Sequence, residues 1–155
     1  MLRKTALVTA GAMLLAGTAL ASGEEASDAE KAVAYRQAVF TAMGHNFGPM
    51  VAMVKEEIPW DGAEFATRAE RVADLADMPW EGFAKATAEV ADTDAKAAIW
   101  EDPDKFERLQ ERLAERTAKL AEATAGGAER EAVAKAFKKV GETCKNCHDD
   151  YKKDD

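Results

Sequence analysis

From Ser27 onward the apolar side chains recur at steps of three and four, with polar residues filling the positions between. That spacing gathers the apolar set on one side of an α-helix. Val33, Arg36, Phe40, Met43, Phe47 and Met50 define one face of a first helix. It opens with Ser27-Asp28-Ala29-Glu30, in which Ser27 and Glu30 can satisfy each other's free backbone amides. Gly48-Pro49 is expected to kink this helix rather than end it, because the apolar spacing continues through Val54. A second helix is predicted from Asp61, with Phe65, Ala69, Val72 and Leu75 inward and Met78-Pro79-Trp80 as its stop. A third begins at Asp102-Pro103, a cap followed by proline at the first helical position, and ends at Gly126-Gly127. The fourth runs from Glu129 through Tyr151, with Val133, Ala136, Phe137, Val140, Cys144, Cys147, His148 and Tyr151 on one stripe. Residues 79–101 are longer than an ordinary helix connection and hold Trp80 and Trp100, so this stretch is expected to cover something. No segment alternates with the period of a strand. The fold class is therefore all-α: an antiparallel four-helix bundle with one longer crossing.

The beginning of the chain follows a different pattern. Arg3 and Lys4 precede an uncharged, mainly apolar run from Ala6 to Leu20, and Ala19-Leu20-Ala21 supplies small residues for a signal peptidase. Residues 1–21 read as a secretory signal cleaved near Ala21, since the run is short for a membrane span. Residues 22–155 are then the bundle, and the expected location is the periplasm. The full chain of 155 residues carries a formal charge of −8. Loss of Arg3 and Lys4 leaves 19 basic against 29 acidic residues, or −10. Such a chain should bind neither nucleic acid nor an anionic membrane, and a diffusing protein partner should present a basic face.

Two cysteines in an oxidising compartment would ordinarily form a disulfide. Here they lie in Cys144-Lys145-Asn146-Cys147-His148, the C-x-x-C-H pattern of covalent c-type haem attachment. Positions three apart on a helix share a side, so both sulfurs can reach the two vinyl groups along one porphyrin edge. His148, four residues from Cys144, can offer a ring nitrogen to the iron. The competing readings are weaker. Cysteines three apart on a helix rarely reach disulfide geometry. A thioredoxin-like pair needs a preceding strand, and zinc needs about four ligands where only His45 remains outside the motif.

A bundle that encloses a porphyrin must satisfy its carboxylates and either fill or leave open the face opposite His148. Arg36, one turn from Phe40 on an otherwise apolar face, is suited to a propionate; the alternative is a side chain reaching solvent. Phe40 cannot ligate iron, and it is either a ring crowding the sixth position or an ordinary core aromatic. Met43, Met50, Met53 and His45 are the possible sixth ligands. Methionines at helical spacing are more often core filler, and His45 lies about 140° round the helix from Phe40, facing outward.

With this motif on the last helix of a bundle, the chain resembles the cytochrome c′ family, the four-helix class II c cytochromes. The resemblance rests on Tyr35-Arg36-Gln37 with Phe40, His45-Asn46-Phe47-Gly48, Pro79-Trp80 with Phe83, Asp94 through Ile99-Trp100, and Cys144 through Asp149 with Tyr151. It covers essentially all of the mature sequence. It implies one covalent haem c with a five-coordinate, high-spin iron whose only protein ligand is His148. By the same resemblance Arg36, Gln37 and Asp94 contact the haem periphery and Phe40 shields the distal side. Lys152 falls on the proximal side, where many relatives have arginine; lysine keeps the charge and loses the planar fork. The implied role is nitric oxide binding (carbon monoxide also fits) and single-electron transfer with a redox partner protein, in a non-enzyme that pairs as a homodimer through its first two helices. The alternative is a low-spin electron carrier with Met43 as sixth ligand.

Overall fold

The computed structural model describes residues 26–126 and 129–154, which form helices and joins and no named strand. The expected signal segment 1–21 and its cleavage point lie outside the described residues. Helix α1 spans Asp28–Val54, α2 Gly62–Leu75, α3 Ala98–Glu101, α4 Pro103–Thr124 and α5 Arg130–Tyr151. The four long ones make the antiparallel bundle; α3 is a single turn within the crossing segment.

Each expected cap is present. The Ser27 hydroxyl accepts from the Glu30 N–H at 3.2 Å, and the Glu30 carboxylate accepts from the Ser27 N–H at 2.7 Å. Asp61 Oδ1 accepts from the Ala63 and Glu64 amides, both at 3.0 Å, and Asp102 caps α4 through Lys105 at 3.1 Å. Helix α4 stops at Thr124, and Gly126 turns the chain at φ +86°, a conformation glycine adopts without steric cost.

Helix α1 continues unbroken past Pro49. Proline has no N–H, so the carbonyl four residues earlier, that of His45, loses its helical partner. Arg68 of α2 supplies a replacement: its Nη1 donates to the His45 carbonyl at 3.3 Å. Arg68 is itself held by Glu64, one turn earlier on α2, at 2.7 Å.

The main core runs along the bundle axis. Met50, Phe65, Ala69, Leu120, Val133 and Val140 are wholly buried there. Phe47 of α1 stacks on Phe137 of α5 at 4.6 Å, and Phe65 of α2 approaches the same ring at 5.5 Å, joining three helices at one point. A fully buried phenylalanine contributes about 1.5–3 kcal/mol of transfer free energy, so this cluster is a principal fastening. A second, smaller cluster forms beside it from Ile99, Phe106 and Tyr151, with Trp80, Phe83 and Cys147 against it.

The crossing is more ordered than a loop. It contains two 3-10 turns, Pro79–Phe83 and Lys85–Glu89, before α3. Its first turn lies on α1 so closely that a β-carbon at Gly82 would sit 2.7 Å from Arg36 Cβ and 2.8 Å from the Ala32 carbonyl. Among the described residues no helix is long and apolar enough to cross a membrane.

Candidate haem-binding site

The motif occupies the last two turns of α5. Cys144 and Cys147 are both half-buried, and no disulfide joins them. Cys144 packs against the main core and Cys147 against the smaller one, so the motif spans the two clusters, as Trp80 also does. Burial pushes the Cys144 thiol up; burial, then Cys144 and Asp150, push Cys147 to about 11. His148 is exposed, unlike the rest of the expected stripe. At about 100° per residue it stands some 80° from Val140 and 40° from Cys144, at the margin of the buried face rather than its centre. Partial desolvation, followed by the charge of Lys152, lowers its pKa against a smaller opposing pull from Asp149. That favours the neutral imidazole, the form that ligates iron.

Arg36 is 2% exposed, with neutral partners instead of an acid. Nη1 donates to the Gly82 carbonyl and, at 2.9 Å, to Thr87 Oγ1; Nη2 donates to Thr93 Oγ1 at 2.6 Å. The guanidinium also lies over the Phe83 ring, 4.3 Å from its centroid. Burial lowers its pKa, yet arginine remains charged. Three of its five N–H groups are used this way. Gln37, at the surface, donates to the Asp92 carbonyl at 3.4 Å.

Phe40 is half-buried, edge-on to Trp80 at 5.8 Å and to Phe83 at 6.3 Å. Asp94 and Lys152, far apart in sequence, are brought together at 3.9 Å. Asp94 is exposed and Lys152 half-buried, so the pair contributes little to stability. His45 faces solvent, and Met43, Met50 and Met53 are buried in the main core.

Two further groups carry a signal that the sequence pattern did not give. Trp80 Nε1 and the Tyr151 hydroxyl are buried hydrogen-bond donors without a partner among the described residues. Both belong to the cluster on which Cys147 packs. Buried donors of this kind normally find an acceptor. The carboxylates of a haem are acceptors of the required chemistry, and the Arg36 guanidinium, buried among neutral partners, supplies a cation for them. The residues present thus fit the group. No three His, Cys, Asp or Glu side chains converge among the described residues as a bare metal site would require.

Comparison with known proteins agrees along nearly the whole described chain. Residues 31–152 match the family model described as Cytochrome C'. A curated cytochrome c' of Halomonas halodenitrificans is 41% identical over 130 residues, covering 81% of this chain and 98% of that protein. The solved cytochrome c prime from Shewanella frigidimarina superposes with a TM-score of 0.78 at 40% identity, covering 83% of this chain and 99% of that one. A nitric oxide complex of a cytochrome c prime variant from Alcaligenes xylosoxidans gives 0.75 at 34% identity, covering 84% and 100%. A carbon monoxide-bound variant of the same protein gives 0.74 at 35% identity, with the same coverage.

Proposed function

Because the chain belongs to the cytochrome c′ family, whose members hold one covalent haem c, we propose that His148 is the only protein ligand to its iron and that nitric oxide binds on the opposite face. The protein also passes single electrons, acts in the periplasm after removal of residues 1–21, and is a carrier and ligand binder rather than a catalyst. When bound, haem supplies an iron that exchanges one electron and accepts a diatomic ligand.

The chain's own residues do the rest. Cys144 and Cys147 tether the group to α5, and His148 holds the iron from the adjoining turn. Arg36, with the Trp80 Nε1 and Tyr151 hydroxyl donors, holds the carboxylates, while Gln37 and Asp94 serve the periphery and Lys152 lies on the proximal side. Phe40 crowds the opposite face, keeps water out and offers no hydrogen bond to dioxygen. Nitric oxide binds without that help, and carbon monoxide is the second ligand the pocket admits.

The observation that carries this reading is the surroundings of Phe40. Its neighbours are the rings of Trp80 and Phe83, and the chain's only other imidazole, His45, is exposed. A redox partner protein with a basic face suits the acidic chain, and a second copy pairs through α1 and α2.

The room-temperature absorption spectrum, with and without nitric oxide, tests the proposal. A broad high-spin spectrum that changes on adding nitric oxide is expected. A second reading, a six-coordinate electron carrier ligated by Met43, draws on the burial of Met43 one turn from Phe40. It would give sharp, split bands in the reduced protein, and Met43→Leu would abolish them. On the reading proposed here Met43→Leu leaves the spectrum unchanged.

A further inference from the structure

Residues 93–96 of the crossing segment meet both α1 and α5, and one side chain links the two contacts. From α1, Arg36 Nη2 donates to Thr93 Oγ1 at 2.6 Å, and the same oxygen accepts the Ala95 N–H at 3.2 Å. Immediately beyond, the backbone pairs with the end of α5. The Lys96 N–H donates to the Tyr151 carbonyl at 2.8 Å and the Lys153 N–H to the Asp94 carbonyl at 2.7 Å. These bonds form an isolated antiparallel bridge between Ala95 and Lys152. Two lysine side chains reinforce it: Lys153 Nζ reaches the Thr93 carbonyl at 2.8 Å, and Lys96 Nζ the Asp149 carbonyl at 3.0 Å. Lys152 in turn donates its backbone N–H to the His148 carbonyl at 3.0 Å, closing the last turn of α5.

The physical asymmetry of these contacts is informative. Arg36 is a fixed post, buried and held on its other side by Gly82 and Thr87. The bridge is one residue pair long with no sheet around it, so its order depends on what anchors the strap. Thr93 is its anchor on the α1 side, because its hydroxyl is bonded to the post and to the backbone of the strap at once. A hydrogen bond to a charged donor is among the stronger ones available, and its loss would leave a buried cation short of an acceptor.

We infer that Thr93 is a positioning residue for His148: its hydroxyl ties Arg36 of α1 to the strap at 94–96, and the strap holds the helical turn that bears the axial imidazole. This rests on His148 being the iron ligand. The strap gives α1, which also carries Phe40, a mechanical connection to the turn that bears His148.

The test compares Thr93→Val, which keeps the shape and loses the hydroxyl, with Thr93→Ser, which keeps the hydroxyl, both as holoprotein. Two quantities are read: hydrogen exchange at the Lys96 and Lys153 amides, and the iron–histidine stretching band of the ferrous protein. In Thr93→Val those amides exchange about tenfold faster or more, while amides of Val133–Val140 hold their wild-type rates, and the iron–histidine band shifts or broadens. Thr93→Ser restores both. Wild-type exchange and an unmoved band in Thr93→Val overturn the inference, as does a serine variant as perturbed as the valine one. Should Thr93→Val not accumulate as folded protein, Arg36→Lys interrogates the same link. Faster exchange at the two amides supports it, and unchanged protection there overturns it. A wild-type protein without colour would remove the haem reading by itself, whereas amide exchange reports the strap in either event.

Discussion

Arg36 illustrates what a single position can and cannot reveal. Its spacing with Val33 and Phe40 puts it on the core face, and it is buried there. Simple electrostatics asks for an anion, but the structure supplies one carbonyl, two hydroxyls and the face of Phe83. Those acceptors come from residues 82 to 93, and no periodicity within α1 encodes them. Trp80 and Tyr151 pose the complementary case: aromatic character is plain in sequence, whereas an unsatisfied donor exists only once the neighbours are known. Phe40 stands between these extremes, since its chemistry was readable and its companions Trp80 and Phe83 were not. Replacing it with alanine should open the side of the haem away from His148. Phe40→Ala is expected to raise the carbon monoxide association rate by about tenfold or more, equivalent to lowering a steric barrier by about 1.4 kcal/mol. Flash photolysis measures this directly, and an unchanged rate removes Phe40 from the distal role.

At the scale of elements, the four long helices were legible because their signals are local: a side-chain cap, a period near 3.6, and a proline or glycine stop. Ser27, Asp61 and Asp102 all cap as their sequences imply. The end of α5 followed the pattern less closely, because a stripe drawn at steps of three and four drifts, and His148 falls on its margin. The crossing segment was recognised by its length and its two tryptophans. Its 3-10 turns carry no apolar period, and their conformation is set by contact with α1. Gly82 makes one such contact. A methyl group there would press on the Ala32 carbonyl, which cannot rotate away as a side-chain end could. Gly82→Ala should therefore cost about 1–3 kcal/mol, read as a lowered denaturant midpoint. A midpoint equal to the wild type would show that the turn can lift from α1 without penalty.

For the molecule as a whole, the two clusters are joined where the two cysteines sit, so the covalent group and the packing of the lower bundle are one problem. Cys147→Ala removes one tether from the smaller cluster. It is expected to yield protein that largely lacks correctly attached haem and has a lower unfolding temperature, seen by mass spectrometry and circular dichroism. Full attachment at native mass and temperature would deny Cys147 that part. Charge acts at this scale too. The chain is acidic overall, with a formal charge of −8, while the cations of the site, Arg36 and Lys152, are engaged by other residues of the chain. The association of α1 with α2 carries a consequence of its own. Pro49 leaves the His45 carbonyl without its helical donor, and the guanidinium of Arg68 answers it from across the gap. If α1 slid by one turn along α2, the His45 carbonyl would lose the Arg68 donor while Arg68 kept Glu64, so the contact favours one alignment. A residue that weakens an isolated helix here acts as a notch that indexes one rod against its neighbour.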